Sequence, residues 1–327
     1  MKIIVPDYFE KFKCIADKCL DSCCIGWEIV IDEKSKAKYS ALDCEIGKEI
    51  AVKTQHGCFP LEENGRCAFL DENGLCRIIS KLGEAYLCDI CREHPRYYGV
   101  GGNGIEGGIG LGCEAAARII LSLSTLPKLV EAEREISYSD EDEYAEISEY
   151  FRDNLYASIF THSPCELVEI YTAYASVADG VSFDVCTTGE KTDIPEVEAR
   201  GKSPDEVKAL IDAALSILSE CEALSDEWPK VISRAKKLDS SEIVNGLSEA
   251  RGPLYYFTHR YVREGVEDMS IGQRILFALL SALAVVAISK VLNTDEPLVR
   301  AAVLYSKNVE YSTDNVDYIY DRLSEFL

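Results

Sequence analysis

Eleven of the fourteen cysteines in this 327-residue chain fall within residues 1–113. They run Cys14-x4-Cys19-x3-Cys23-Cys24, then Cys44 and Cys58, then Cys67, Cys76, Cys88-x2-Cys91 and Cys113. Thiols this dense are rarely packing alone; they point to a metal or iron–sulfur site. The N-terminus, Met1-Lys2-Ile3-Ile4-Val5-Pro6-Asp7, has a short apolar run and then a charge, which is no signal peptide. The expected setting is therefore cytoplasmic, where disulfides do not persist and thiolates bind metals.

Iron–sulfur clusters are held by four Cys thiolates, and structural zinc by four Cys or Cys/His ligands. Local pairs lower the entropy cost of gathering them. Cys88-x2-Cys91 is such a pair, and Cys14, Cys19 and Cys23 form a local triplet. With Cys24, Cys67, Cys76 and Cys113 the candidates number nine, so two sites are arithmetically possible. Adjacent residues point their side chains apart. Either one of Cys23 and Cys24 is a bystander, or the two face different sites. Cys113 heads a strong helix former, Glu114 to Leu121, whose N-terminus would favour a thiolate; simple burial is the alternative. Cys44 and Cys58 read as packing, Cys165 and Cys221 as core, Cys186 as a loop thiol. His94, three residues past Cys91, is the one histidine flagged as a ligand.

Hydrophobic residues make up 47%, enough for a real core. The net charge of −23 is uneven: residues 1–113 carry 14 Lys/Arg against 18 Asp/Glu, and the remainder 20 against 39. Such an acidic body repels nucleic acid and anionic membranes and would attract a lysine-bearing partner; plain solubility is the simpler reading. Ile275–Ser289 has fifteen residues without a charge. A membrane span needs about 20, so a buried core helix is expected.

The expected fold is mainly α, with a cysteine-rich, metal-organised N-terminal module (1–125) bearing a few short strands, followed by an α-helical domain (126–327). Arg66 to Leu70 is a strand candidate between two Asn-Gly turns, with Leu75 to Ile78 as its partner. Gly99 to Gly112 reads as a flexible region. It only superficially resembles a nucleotide loop, because Tyr97-Tyr98 is a poor strand and Glu106 lies inside the run. Glu131 to Glu149 reads as a solvated helix or linker, and Gly180 to Gly201 as an exposed loop. Ser163-Pro164-Cys165-Glu166 and Ser203-Pro204-Asp205-Glu206 are capping-box helix starts. Behind the second, Val207, Leu210, Ile211, Ala214, Leu218 and Cys221 recur at helical spacing. A last helix presents Val316, Ile319, Tyr320, Leu323 and Phe326.

Several segments together resemble the flagellin lysine-N-methylase (FliB-type) family. They are Tyr8-Phe9 through Cys23-Cys24-x-Gly26-Trp27-Glu28-Ile29, Leu87-Cys88-x2-Cys91-Arg92-x2-Pro95-Arg96, Leu111-Gly112-Cys113-Glu114 to Arg118, and Tyr305-Ser306 to Asn315. Vicinal cysteines followed by Gly-Trp are the most specific part. Cys67 to Cys76 with the vicinal pair also resembles the zinc- or iron-chelating module of YkgJ-type proteins. The resemblance implies methyl transfer from S-adenosylmethionine to lysines of flagellin or another lysine-bearing protein, with an iron–sulfur cluster, [4Fe–4S], or zinc in its place. Two other classes remain: a non-catalytic iron- or zinc-binding protein, and a redox protein passing electrons through the cluster.

Methylating an amine needs no radical, and the cysteine spacing does not match the C-x3-C-x2-C of radical enzymes. Trp27 and Glu28, an aromatic wall and a carboxylate, suit a cationic sulfonium or lysine; packing and solvation are the alternatives. Arg92 and Arg96 could pair with a thiolate-ligated cluster or the cofactor's carboxylate, or form ordinary surface ion pairs. The sequence names no general base.

Overall fold

The computed structural model describes every residue except 103, 137–144, 189–193, 195, 264, 267–268 and 327. Strand β1 (Lys2–Pro6) is followed by β2 (Ile29–Val30), helices α1 (Glu33–Ser40) and α2 (Glu45–Lys53), β3 (Cys58–Phe59), α3 (Arg77–Leu82) and α4 (Asp89–Glu93). Next come β4 (Arg96–Gly101), β5 (Gly104–Ile109), α5 (Glu114–Leu121) and β6 (Leu129–Glu133). The remainder is helical: α6 (Ala145–Ile159), α7 (Pro164–Thr188), α8 (Pro204–Glu220), α9 (Trp228–Ala235), α10 (Ser240–Gly246), α11 (Arg251–Tyr261), α12 (Ile271–Ser289), α13 (Pro297–Asn308) and α14 (Thr313–Leu323). The chain is thus mainly α, as its repeated helix starts predict.

Two apolar cores organise it. The smaller is built from Ile29, Ile31, Tyr39, Ile46, Ile50, Phe59, Phe69 and Ile78 with the thiols of Cys67 and Cys88. The larger takes in β1, the end of β5, α5 and the helices from α6 onward. Helix α12 runs through its middle against α7, α8, α11 and α13. Among the described residues it is the one helix long and apolar enough to cross a membrane, and it is buried almost throughout. The absence of charge after Arg274 therefore reflects protein contact on every side.

Both capping boxes form. Ser203 accepts from the Glu206 amide while Glu206 reaches back to the Ser203 amide, and Ser163 and Glu166 repeat the exchange. Val207, Ile211, Ala214 and Leu218 are buried as their spacing predicts. On the last helix Ile319 and Leu323 are buried, but Phe326 lies beyond it and is 49% exposed.

Four expectations need correction. Gly99 to Gly112 is not a flexible loop. Most of it forms β4 and β5 of a four-stranded sheet ordered β4-β5-β1-β6, and Tyr97 and Tyr98 lie in β4. Strand β5 pairs antiparallel with β4 and parallel with β1. The glycines are there because side chains lie flat across the strands. A Cβ at Gly99 would strike the Arg263 guanidinium, and one at Gly108 the Tyr97 hydroxyl. Gly108→Ala is therefore expected to cost about 1–3 kcal/mol by overpacking, read from a urea midpoint. Second, Arg66 to Leu70 does meet Leu75 to Ile78 in antiparallel sense, but the pairing is one isolated bridge, Leu70–Cys76, and not a strand ladder, because Arg77 starts α3. Third, Leu129–Glu133 is a strand, paired with β1, and helix begins again at Ala145; 137–144 lie outside the described residues. Fourth, α7 runs through Gly180 to Thr188, so the loop expected from Gly180 begins no earlier than residue 189. Cys186 sits in that helix, its thiol toward the Val266 carbonyl at 3.8 Å, and is not a loop thiol. Cys221 is buried, as expected of a core thiol.

Candidate thiol site at the junction of the two cores

The nine candidate thiols divide into two neighbourhoods. Cys24, Cys67, Cys76, Cys88 and Cys91 lie within electrostatic reach of one another and belong to the smaller core. Cys14, Cys19, Cys23 and Cys113 form the other set, with Cys113 packed on the larger core. The vicinal pair is where they meet: Cys23 adjoins Cys113 and Cys14, Cys24 packs on the smaller core, and the two thiols hydrogen-bond each other. The side chains of this adjacent pair are thus not turned apart as expected.

Their electrostatics differ. In the module set two thiols ionise early. Cys24 is drawn down to about 7, chiefly by the adjoining Cys23 thiol, against burial and with help from Ser22, Arg66 and Lys307. Cys88 is lowered by Cys91, which is raised in turn. Burial pushes Cys67 up to about 11, and Cys76 is raised as well. In the body set burial pushes Cys19 up to about 12 and raises Cys113; Cys23 is raised first by Cys24 and then by burial. At Cys113 the amides of Ala115 and Ala116 at the start of α5 pull the other way, but burial outweighs them. The helix start thus does not make Cys113 a standing thiolate. A buried neutral thiol set releases its protons when a cation arrives to hold the charge.

Nine thiols are the right chemistry for a soft metal or an iron–sulfur cluster. The match lies in donor type and number. Among the described residues no three His, Cys, Asp or Glu side chains stand close enough to hold an ion. Cys44, at the start of α2, packs against the smaller core, and Cys58 lies half-buried in β3.

Trp27 lies at the junction. Its indole Nε1 donates to the Cys23 carbonyl at 2.6 Å. Its ring is 6.2 Å from His94 and 5.8 Å from Tyr311, centre to centre. His94 is held neutral, its pKa brought down to about 4 by burial and by Lys307. Its buried Nε2 has no hydrogen-bond partner. Glu28 is exposed. Arg92 pairs on the surface with Asp89 at 2.5 Å and Glu93 at 3.2 Å, the ordinary ion-pair alternative. Arg96 lies over the rings of Phe9 and Phe12 at 5.5 and 5.4 Å. So Trp27 meets the vicinal cysteines, while Arg92 and Arg96 are engaged elsewhere.

The other side of the junction escapes sequence reasoning. Glu310 is buried; its Oε1 accepts from Tyr256 and Tyr261 at 2.8 Å each and from Arg260 at 3.2 Å. A Cβ on Gly112 would strike the Tyr311 hydroxyl, so the glycine before Cys113 lets the α13–α14 turn approach. The available signal was the Tyr305 to Asn315 segment, which carried family likeness but no chemical role.

Fold and site define a class: a mainly helical protein with two apolar cores and a vicinal cysteine pair at which two groups of thiols meet. The chain is 30% identical over 131 residues to the lysine-N-methylases of Salmonella typhimurium and Salmonella choleraesuis, covering 35% of this chain and 31% of each of them. It is 30% identical over the same length to the flagellar biosynthetic protein FliU of Salmonella muenchen, covering 35% of this chain and 75% of FliU. The chain belongs to the FliU and lysine-N-methylase (FliB-type) family. The match spans about a third of the length of the lysine-N-methylases. No family model matches, and no solved structure does.

Proposed function

We propose that this chain is an S-adenosylmethionine-dependent protein-lysine N-methyltransferase acting on flagellin, and that its cysteines hold an iron–sulfur cluster of the [4Fe–4S] type. The reading is supported by the family membership together with the vicinal Cys23-Cys24 and the Trp27 indole bonded to the Cys23 carbonyl.

The chemistry asks little of the protein. A neutral lysine nitrogen attacks the sulfonium methyl in line: the N–C bond forms as the S–C bond breaks, and the ammonium product then releases a proton. The protein must align the two groups and desolvate the lysine, which lowers its pKa. The exposed, acidic body favours encounter with a lysine-bearing surface. Trp27 and Tyr311 offer aromatic faces to a cation. The ligands would come from the two thiol sets, and the cluster when bound would tie the module to the body and supply local charge.

Co-expression with flagellin tests the reading. Flagellin lysines should gain mass in methylene steps only when the chain is present, and the anaerobically purified chain should bind S-adenosylmethionine and contain iron and sulfide. Cys88→Ser should lower methylation by about a hundredfold, as loss of a metal-site group does. A colourless zinc protein would overturn the cluster assignment. Absence of both S-adenosylmethionine binding and methyl transfer would overturn the methyltransferase.

A further inference from the structure

The segment carrying Cys19 and Cys23 is fastened to the helical body through Asp21. The Asp21 carboxylate accepts from Arg300 at 2.5 Å and from Lys307, both on α13. Its amide donates to Glu114 Oε1 at 2.7 Å, and Glu114 directly follows Cys113. The Lys307 ammonium also donates to the Ser22 carbonyl at 3.3 Å. Each partner is secured in turn, Arg300 by Glu227 at 2.5 Å and Glu114 by Arg118 at 3.4 Å. The pair is shielded from solvent: Asp21 is 23% and Lys307 18% exposed. Charge-assisted bonds in such surroundings are shorter and stronger than neutral ones.

One carboxylate thus joins three things: the loop before the vicinal pair, the helix that starts at Cys113, and α13. Two residues on, Cys23 faces that same body. We propose that Asp21 is the positioning residue of the junction. By anchoring the loop to α13 and to Glu114 it holds Cys23 beside Cys113. The inference rests on reading the thiols as two sets; it does not depend on methyl transfer.

The test is alkylation of the full chain by N-ethylmaleimide, anaerobically, with each cysteine followed by mass spectrometry. Asp21→Asn should speed labelling of Cys23 and Cys113 by about tenfold, as the loop opens locally, while Cys67, Cys76 and Cys88 keep their rates. Lys307→Met should act in the same direction. The double variant should exceed the faster single by no more than about twofold, because both remove one shared interaction. Unchanged rates at Cys23 and Cys113 would overturn the assignment, as would a rise at all nine thiols together. A chain that shows this pattern but transfers no methyl group sinks the function and keeps the clamp; methylation without the pattern does the reverse.

Discussion

Replacing Arg152 with methionine is expected to cost about 3–5 kcal/mol of folding stability. Arg152 on α6 donates through both terminal nitrogens to Glu106 of β5, at 2.6 and 2.8 Å, and neither side chain is more than 1% exposed. Burial alone would raise the Glu106 pKa, but the Arg152 guanidinium outweighs it and the net shift is downward. Removing the arginine leaves a carboxylate beneath the sheet with its main counter-charge gone. Urea unfolding gives the loss directly. Replacing both residues with leucine should recover much of it, since the pair's worth is largely the cost of breaking it one-sidedly. A loss below about 1 kcal/mol for Arg152→Met, the level of a solvent-screened surface pair, would show that Glu106 finds water.

Acid should weaken the fold well before the carboxylates titrate. His259 on α11 is fully buried. Its Nδ1 meets the Tyr156 hydroxyl at 2.8 Å and its Nε2 the Gly107 carbonyl at 3.1 Å. A carbonyl only accepts, so Nε2 carries the proton and Nδ1 accepts from the tyrosine. Burial lowers the His259 pKa to about 4, and His94 likewise to about 4. Both folded values lie below the unfolded value of about 6.5. Between the two the unfolded chain binds protons that the folded chain refuses, so stability is fully present above about pH 6.5 and drains away as the pH falls toward 4. At 1.36 kcal/mol per pKa unit each histidine contributes on the order of 3 kcal/mol across that window. His259→Gln should remove about half of the slope. A flat stability profile from pH 7 to 5 would sink the argument.

Local rules were legible in the sequence. The Ser-Pro-x-Glu starts announced α7 and α8 because a capping box is complete within four residues. The length and alanine content of α12 announced a core helix. What stayed hidden depends on partners far along the chain. Glycine has two meanings, freedom and clearance, and only the distant Arg263 and Tyr97 decide between them at Gly99 and Gly108. Glu131 to Glu133 looked like part of an acidic linker because their strand partner, β1, lies at the other end of the module. Asp21, Glu310 and Tyr311 carried no motif of their own; their meaning comes from Arg300, Tyr256 and Gly112, brought in by the fold.

The vicinal pair has one more consequence. Consecutive Cα atoms are only about 3.8 Å apart, so the two thiol sets share a border one peptide wide. Unit charges about 8 Å apart at an effective dielectric of 20 interact by about 2 kcal/mol, some thirtyfold in a binding constant. The first thiolate formed at the pair therefore holds its neighbour protonated, so a thiolate-seeking reagent meets one nucleophile there, Cys24, with Cys23 held in reserve.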